Sequence, residues 1–371
     1  MHCHLVQSLE DLRTHRDDWE QIQDPNPFLN YSWMMAWLNY RESPLPVSRI
    51  EPFVLVVTDG ETLNSSWIGI APFCLVKSKF GTQLQFMSSD KACADYLSLV
   101  CRDDDFVQVA DELVGWLEAN LMDGPYSFVD SIELAGICLA ESRAEYFLDR
   151  LSIAGFDRYV DNLESCWVVD LPDTWEVLNA QFNKSHRRKT NKAVKRINGA
   201  NAKVVSSCDV GVEAVWDTFV DLHQQRRVFL GEPGCFADSG FEKFLLEATL
   251  GLADDDRAEI LLVSLDEKPL AAQLLLKSDQ ATWMYQSGSD PTRNNLEPGY
   301  IVTTLAIQRA IESGFKQFDF LRGDEPYKAR WNSRPNQLSR AKMVSPQFSS
   351  RFKHQIWSSG KSFKSWIKSW S

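Results

Sequence analysis

The chain has 371 residues, with 39 basic against 51 acidic side chains and a net charge of minus 12. Hydrophobic residues make up 44% and charged residues 24%, which excludes a disordered or fibrous chain, and the length suits two domains at roughly 100–200 residues each. An acidic total speaks against DNA binding by the general surface, but the charge is uneven: minus 17 over residues 1–170, minus 3 over 171–310 and plus 8 over 311–371.

The N-terminal stretch MHCHLVQSLEDLRTHRDDW mixes charges and has no apolar h-region, so neither a signal nor a transit peptide is expected there. No run approaches the ~18 apolar residues of a membrane span, and a cytoplasmic location is expected. The eight cysteines, Cys3, Cys74, Cys93, Cys101, Cys138, Cys166, Cys208 and Cys235, form no C-x-x-C pair and read as reduced, packed thiols. His2, Cys3 and His4 have ligand chemistry, but a chain terminus offers no preorganised fourth ligand, so no metal is expected.

Strands are predicted at Phe53–Thr58, Trp67–Lys77 and Thr82–Met87, the first two joined by the Asp59-Gly60 turn. A helix over Asp105–Asn120 and a strand at Ser131–Leu134 follow. An apolar strand ends at Asp170-Leu171-Pro172-Asp173, where the domain boundary is placed, before a helix over Trp175–Phe182. Further on come a helical run over Val212–Leu230, strands at Ala258–Leu265, Leu270–Ser278 and Ala281–Gly288, a helix over Gly299–Ser313 and a strand at Lys316–Leu321. The order hairpin, strand, helix, strand occurs twice. The expected fold is therefore α/β (α+β) in two related domains, 1–172 and 173–345, each a mixed sheet flanked by helices, with a tail over 346–371.

Four groups of residues carry candidate chemistry. Lys184–Lys203 holds nine basic or histidine side chains and no acid, and Arg188, Lys192 and Lys195 share one helix face, suited to a phosphate-bearing ligand or simply to solvent. His223 lies four residues from Arg227 on a predicted helix and is a candidate base. Gly288-Ser289-Asp290-Pro291 and Asn294–Tyr300 form a strand-to-helix turn whose backbone could meet a phosphate, although Pro298 lacks an N–H and Glu297 is itself an anion. Phe318–Trp331 then presents Asp319 at the carboxyl end of a buried strand, with Glu325, Tyr327 and Lys328 shortly after Gly323. This block offers a base, a proton donor and an anchor, or a purely structural ion-pair network with Arg322. G-x-S-x-G and G-x-x-x-x-G-K-[ST] motifs are absent.

Taken together, Lys184–Arg196, His223-x-x-Arg226, Gly288-x-Asp290-Pro291, Pro298-Gly299 and Phe318–Trp331 resemble the GNAT-like acyltransferase domain of CelD-type cellulose-biosynthesis proteins and their Fem-type aminoacyltransferase relatives. Asn26-Pro27-Phe28, Trp33, Trp37 and Ile70–Phe73 resemble the family's N-terminal partner domain. The resemblance implies tandem GNAT folds and acyl transfer, commonly from acetyl-CoA or another acyl-CoA, to an amine or hydroxyl of a cell-envelope or exopolysaccharide precursor. On that reading the catalytic candidates are Asp319, Glu325, Tyr327, Lys328 and His223. Donor contacts fall to Gly288, Asn295, Gly299, Tyr300, Arg188 and Lys192, and acceptor contacts to Arg226, Asp290, Arg322 and Trp331. The family's R/Q-x-x-G-x-G/A phosphate loop reads here as Asn294–Gly299 with one glycine lost, which keeps aminoacyl-tRNA as the alternative donor. A non-catalytic scaffold in a polysaccharide-producing machine is the reading from a different class. Phe352, Ile356, Phe363, Trp366, Ile367 and Trp370, interleaved with Lys353, Lys361, Lys364 and Lys368, form a basic amphipathic tail suited to an anionic membrane surface or to docking on protein.

Overall fold

The structure, a computed structural model, describes residues 1–22, 24–41, 49–78, 81–347, 349–351 and 353. In chain order the elements begin with β1 (His2–Val6), α1 (Leu9–Thr14), α2 (Arg16–Gln21), α3 (Tyr31–Arg41), β2 (Arg49–Thr58), β3 (Trp67–Ser78) and β4 (Gly81–Phe86). Next come β5 (Val100–Cys101), α4 (Phe106–Leu121), β6 (Ser131–Ile137), α5 (Ser142–Ile153), β7 (Asp157–Asp170), α6 (Trp175–Gln181) and α7 (Lys184–Ile197). The remainder is β8 (Ala202–Ser206), α8 (Ser207–Val210), α9 (Glu213–Phe229), α10 (Ser239–Asp254), β9 (Ala258–Leu265), β10 (Lys268–Lys277), β11 (Ala281–Ser289), α11 (Pro298–Glu312), β12 (Gln317–Arg322) and β13 (Arg334–Val344).

Two compact units result, and neither is a contiguous half of the chain. The first comprises Met1–Asp24, Arg41–Leu163 and Gln337–Ser371; the second comprises Pro25–Tyr40 and Glu164–Asn336. This differs from a division at residue 172, and packing explains why. Phe28 and Trp33, read from sequence as part of an N-terminal domain, belong to the second unit: the Phe28 ring lies 5.4 Å from Trp283 and 5.7 Å from Tyr285, and Trp33 lies 5.2 Å from Phe244. Both aromatic side chains are fully buried there.

Within the first unit the strand order is β1-β2-β3-β4-β6-β13. Neighbours are antiparallel except β4 and β6, which run parallel over three residue pairs from Gln83/Ser131 to Gln85/Glu133. Helix α4 presents Phe106, Val109, Ala110, Leu113, Val114, Leu117 and Leu121 to the core, the spacing of a helix with one apolar face. At Gly69 a side chain would run into Val109, so glycine lets β3 and α4 approach closely. The tail begins in this unit, where Lys353 meets the buried Asp130 carboxylate at 2.9 Å. Phe352 and the tail positions from Ile356 to Trp370 lie outside the described residues.

The second unit repeats the pattern as β8-β9-β10-β11-β12 with the Glu164–Asp170 part of β7. Again all neighbours are antiparallel except β11 and β12, whose parallel pairing covers Ala281/Gln317, Thr282/Phe318 and Trp283/Asp319. Past those pairs β11 stays with β10 as far as Ser289, with Tyr285 bulged out of register. Helices α9 and α11 cover opposite faces of this sheet. Gln273 reaches Thr303 of α11 at 2.9 Å, whereas Gly288, which pairs with the adjacent Ala272, lies against the α9 backbone.

Candidate functional site

The chemistry-bearing residues gather where β12 ends. Phe318 and Phe320 are buried, as an apolar strand requires, and Asp319 is buried too, only 3% exposed. Its Oδ1 accepts the backbone N–H of Leu321 at 2.7 Å. Leu321 adopts φ +56°, a left-handed conformation costly for a branched side chain, at the point where the β12 register with β7 slips. Asp319 therefore stabilises the bend that turns the chain out of the sheet.

Lys328 closes that bend. It is 2% exposed, and its Nζ donates to the carbonyls of Leu321, Arg322 and Gly323 at 3.1, 2.9 and 3.0 Å while pairing with Glu325 at 2.9 Å. Three carbonyl dipoles and one carboxylate compensate a buried ammonium, so Lys328 is a scaffold for the turn. Gly323 has φ +125°, and a Cβ there would lie 2.5 Å from the Glu325 carboxylate and 3.0 Å from Lys328 Nζ. Glu325 stays accessible beyond this contact. On the other side, Asp324 accepts from Trp167 Nε1 at 3.1 Å.

Tyr327 is held on the turn with its ring 6.0 Å from Phe320. The residue is 39% exposed. Burial, and then the Glu325 carboxylate, push its pKa above the ordinary tyrosine value, while Arg226 and Arg227 oppose them. Tyr327, like an ordinary tyrosine, is a protonated hydroxyl at neutral pH, with the Arg226 guanidinium near it.

The remaining candidates separate. Trp331 is 3% exposed and forms an aromatic cluster with Phe182, His186, Tyr300 and Phe320, a core position. Arg322 sits in the bend with its carbonyl on Lys328. Gly288 is a contact glycine, because a Cβ would stand 2.3 Å from the His223 nitrogen, and that side of it is covered by α9. Asp290 caps the 3-10 turn Pro291–Leu296 by accepting from Thr292 N at 2.9 Å. Asn295 and Arg188 are exposed, and around Gly299 there is open space.

Helix α7 explains much of its own charge. Lys189 meets Glu297 at 2.7 Å and lies 4.8 Å from the Tyr300 ring centre, and Lys192 is 4.0 Å from the other Glu297 oxygen. Arg196 donates to the Leu296 carbonyl. Glu297 occupies the position before α11 in a left-handed conformation, φ +55°, and Lys189 holds its carboxyl below the usual range. A diphosphate approaching the first turn of α11 therefore meets Pro298, which has no N–H, and a carboxylate already paired with the nearby cations. With Glu297 in place these residues do not fit the diphosphate of CoA. His186, one turn into α7, is buried, and burial with Arg330 and Lys189 lowers its pKa to about 4. Its Nδ1 lies 3.3 Å from the Tyr300 hydroxyl, and its ring stands perpendicular to Trp331 and Phe182 at 4.6 and 4.5 Å. Among the described residues its Nε2 has no conventional hydrogen-bond partner.

His223 is buried between α9 and β11. Its Nε2 lies 3.1 Å from Gln286 Oε1 and 3.8 Å from Cys235 Sγ, and its Nδ1 lies 3.3 Å from Gln224 Oε1. Burial, and then Arg227, lower its pKa to about 4. Cys235, Gln224 and Gln286 carry no sequence signal of a shared site beyond the turn Gly231–Gly234 that precedes the cysteine.

Residues 180–329 match the family model described as an acetyltransferase (GNAT) domain. No curated protein matches the sequence. Among solved structures, FemX superposes with a TM-score of 0.62 at 13% identity, covering 95% of this chain and 99% of that one. A conserved protein of unknown function from Bacteroides thetaiotaomicron VPI-5482 gives 0.55 at 12% identity, over 92% and 99%. The C-terminal DUF2156 domain of a proposed lysylphosphatidylglycerol synthetase from Agrobacterium fabrum gives 0.53 at 10% identity, over 92% of each chain. At these identities the likeness is one of fold. Residues 180–329, which lie in the second unit, are thus similar to a GNAT acetyltransferase domain, and 95% of the chain shares the fold of FemX.

Proposed function

We propose that the second unit transfers an acyl group from an activated donor to an amine or hydroxyl acceptor, at the end of the sheet where β11 and β12 part. The observation that carries this reading is the placement of the Tyr327 hydroxyl beside Glu325 on a turn that Asp319, Lys328 and Gly323 hold in one shape. The acceptor attacks the acyl carbonyl, backbone N–H groups at the parting of the strands stabilise the oxyanion, and Tyr327 gives its proton to the departing group. Glu325, accessible beside Tyr327, takes the proton from the acceptor. Asp319 and Lys328 act as positioning residues. The acceptor class, a cell-envelope or exopolysaccharide precursor, rests on the resemblance to CelD-type proteins.

With an amino-sugar acceptor and, in parallel assays, acetyl-CoA and aminoacyl-tRNA as donors, Tyr327→Phe is expected to lower kcat by roughly 100-fold or more with little change in KM for whichever donor is turned over, the scale of a lost general acid. If Tyr327→Phe and Glu325→Gln both keep full turnover, the reading fails. One observation favours a second donor. Because Glu297 stands at the start of α11, an aminoacyl ester carried on tRNA, meeting the exposed Lys184, Arg187 and Arg188 through its phosphates, fits better than CoA. That reading expects tRNA binding that weakens steeply as salt rises, measured by filter binding from about 50 to 200 mM salt.

A further inference from the structure

We propose that Cys235, His223 and Gln224 form a nucleophile, base and orienting group able to accept an acyl group as a protein thioester. The orientation of His223 follows from its neighbours. Gln224 donates through Nε2 to the Pro233 carbonyl at 3.1 Å, so its Oε1 is the atom that faces His223 Nδ1 at 3.3 Å. An amide oxygen only accepts, hence Nδ1 carries the proton, and in a neutral ring Nε2 presents its lone pair. The Gln286 amide, 3.1 Å from Nε2, is then read with its nitrogen toward the ring. Cys235 Sγ lies 3.8 Å from Nε2, so its thiol competes with the Gln286 amide for that one lone pair, and the thiol proton moves there when Gln286 yields it.

Two glycines make this arrangement possible. Gly234, at φ +72°, leaves room for Gln224, whose Oε1 would lie 2.1 Å from a Cβ there. Gly288 lets the His223 backbone sit directly on β11, so that the ring reaches Gln286, which lies on β11 beyond its pairing with β12. Phe236 packs perpendicular to the imidazole at 4.8 Å and limits its rotation. A nucleophile within reach of a base that a third group orients is the general pattern of covalent acyl transfer.

In the step proposed, the thiol proton passes to Nε2 as sulfur bonds to the acyl carbon. The bond from that carbon to the donor's sulfur or oxygen breaks, and the leaving group takes the proton from Nε2. Attack by an amine or hydroxyl on the thioester then frees the acyl group and restores the thiol, with no oxidant or reductant. The acyl half of this inference rests on the acyl-transfer reading above, and the reactivity of the thiol does not.

The experiment uses the full-length protein and two probes that need neither natural donor nor acceptor. With limiting N-ethylmaleimide and peptide mapping, Cys235, only partly exposed, is expected to label about tenfold faster than the exposed Cys93 and Cys208. His223→Asn is expected to bring it to their rate, and Gln224→Ala to slow it partway. Continued protection of the buried Cys74, Cys101, Cys138 and Cys166 from the reagent shows that the variants are folded. With p-nitrophenyl acetate, one acetyl group is expected on the Cys235 peptide, lost in Cys235→Ala. Labelling of Cys235 no faster than of the two exposed cysteines, or unchanged by both variants, overturns the assignment. Fast alkylation with no acetylation overturns the thioester. Loss of Tyr327-dependent turnover alone touches neither result.

Discussion

Lys328 shows what a single buried charge contributes at the residue scale. Its ammonium satisfies three successive carbonyls of the bend after β12, and removing it strands acceptors that water does not easily reach. Lys328→Met keeps the stem and removes the charge, so urea denaturation is expected to show a loss of about 3 kcal/mol, the scale of a broken buried ion pair. A loss within 0.5 kcal/mol would mean that the bend holds itself. The buried histidines add a dependence on pH. His186 and His223 each have a folded pKa near 4 against an ordinary 6.5. Between those values the unfolded chain binds protons that the folded chain refuses, so stability is full above about pH 6.5 and falls as the pH drops toward 4. Thermal melts from pH 7.5 to 4.5 should show this decline, and His223→Gln should flatten part of it. Sequence spacing placed a lysine and an acid near a strand end; it could not show that the ammonium folds back onto its own backbone.

At the scale of elements, helix ends were readable and bulges were not. The predicted helices over Val212–Leu230 and Gly299–Ser313 became Glu213–Phe229 and Pro298–Glu312, because apolar spacing and, for the second, a proline in the first turn are local properties. The bulge at Tyr285 and the left-handed Leu321 have no such local signature, since they depend on which strand lies alongside. The run of charge on α7 also changed meaning once α11 was beside it, for Lys189 and Lys192 face Glu297. That pairing predicts a gain of function in binding. Glu297→Gln removes the anion and frees the two lysines, so calorimetry with acetyl-CoA is expected to show affinity raised by about tenfold. Unchanged affinity would mean that the carboxylate is not the obstacle and that the donor binds elsewhere.

For the whole molecule, the repeated element order was legible as two related halves, while the exchange of parts between them was not. Hydrophobic pattern marks β7 and β13 as strands but carries no record of their partners. In the structure β13, encoded after the second unit, pairs with β6 from Ser339/Ile137 to Val344/Ser131 and completes the sheet of the first. The Glu164–Asp170 part of β7, encoded before most of the second unit, pairs with β12 and completes the sheet there. Helix α3 likewise supplies Trp33 to the second core from far upstream. A cut at the apparent boundary therefore removes a closing strand from each unit, exposing the apolar edges of β6 and β12, and takes α3 from the second. Fragments 1–172 and 173–371 are each expected to aggregate or to give poorly dispersed NMR spectra, because an unpaired apolar strand edge invites association. Co-expression of the two should restore a soluble complex with the circular dichroism of the intact chain. Either fragment folding alone, with a cooperative melt, would show that the exchanged strands are dispensable.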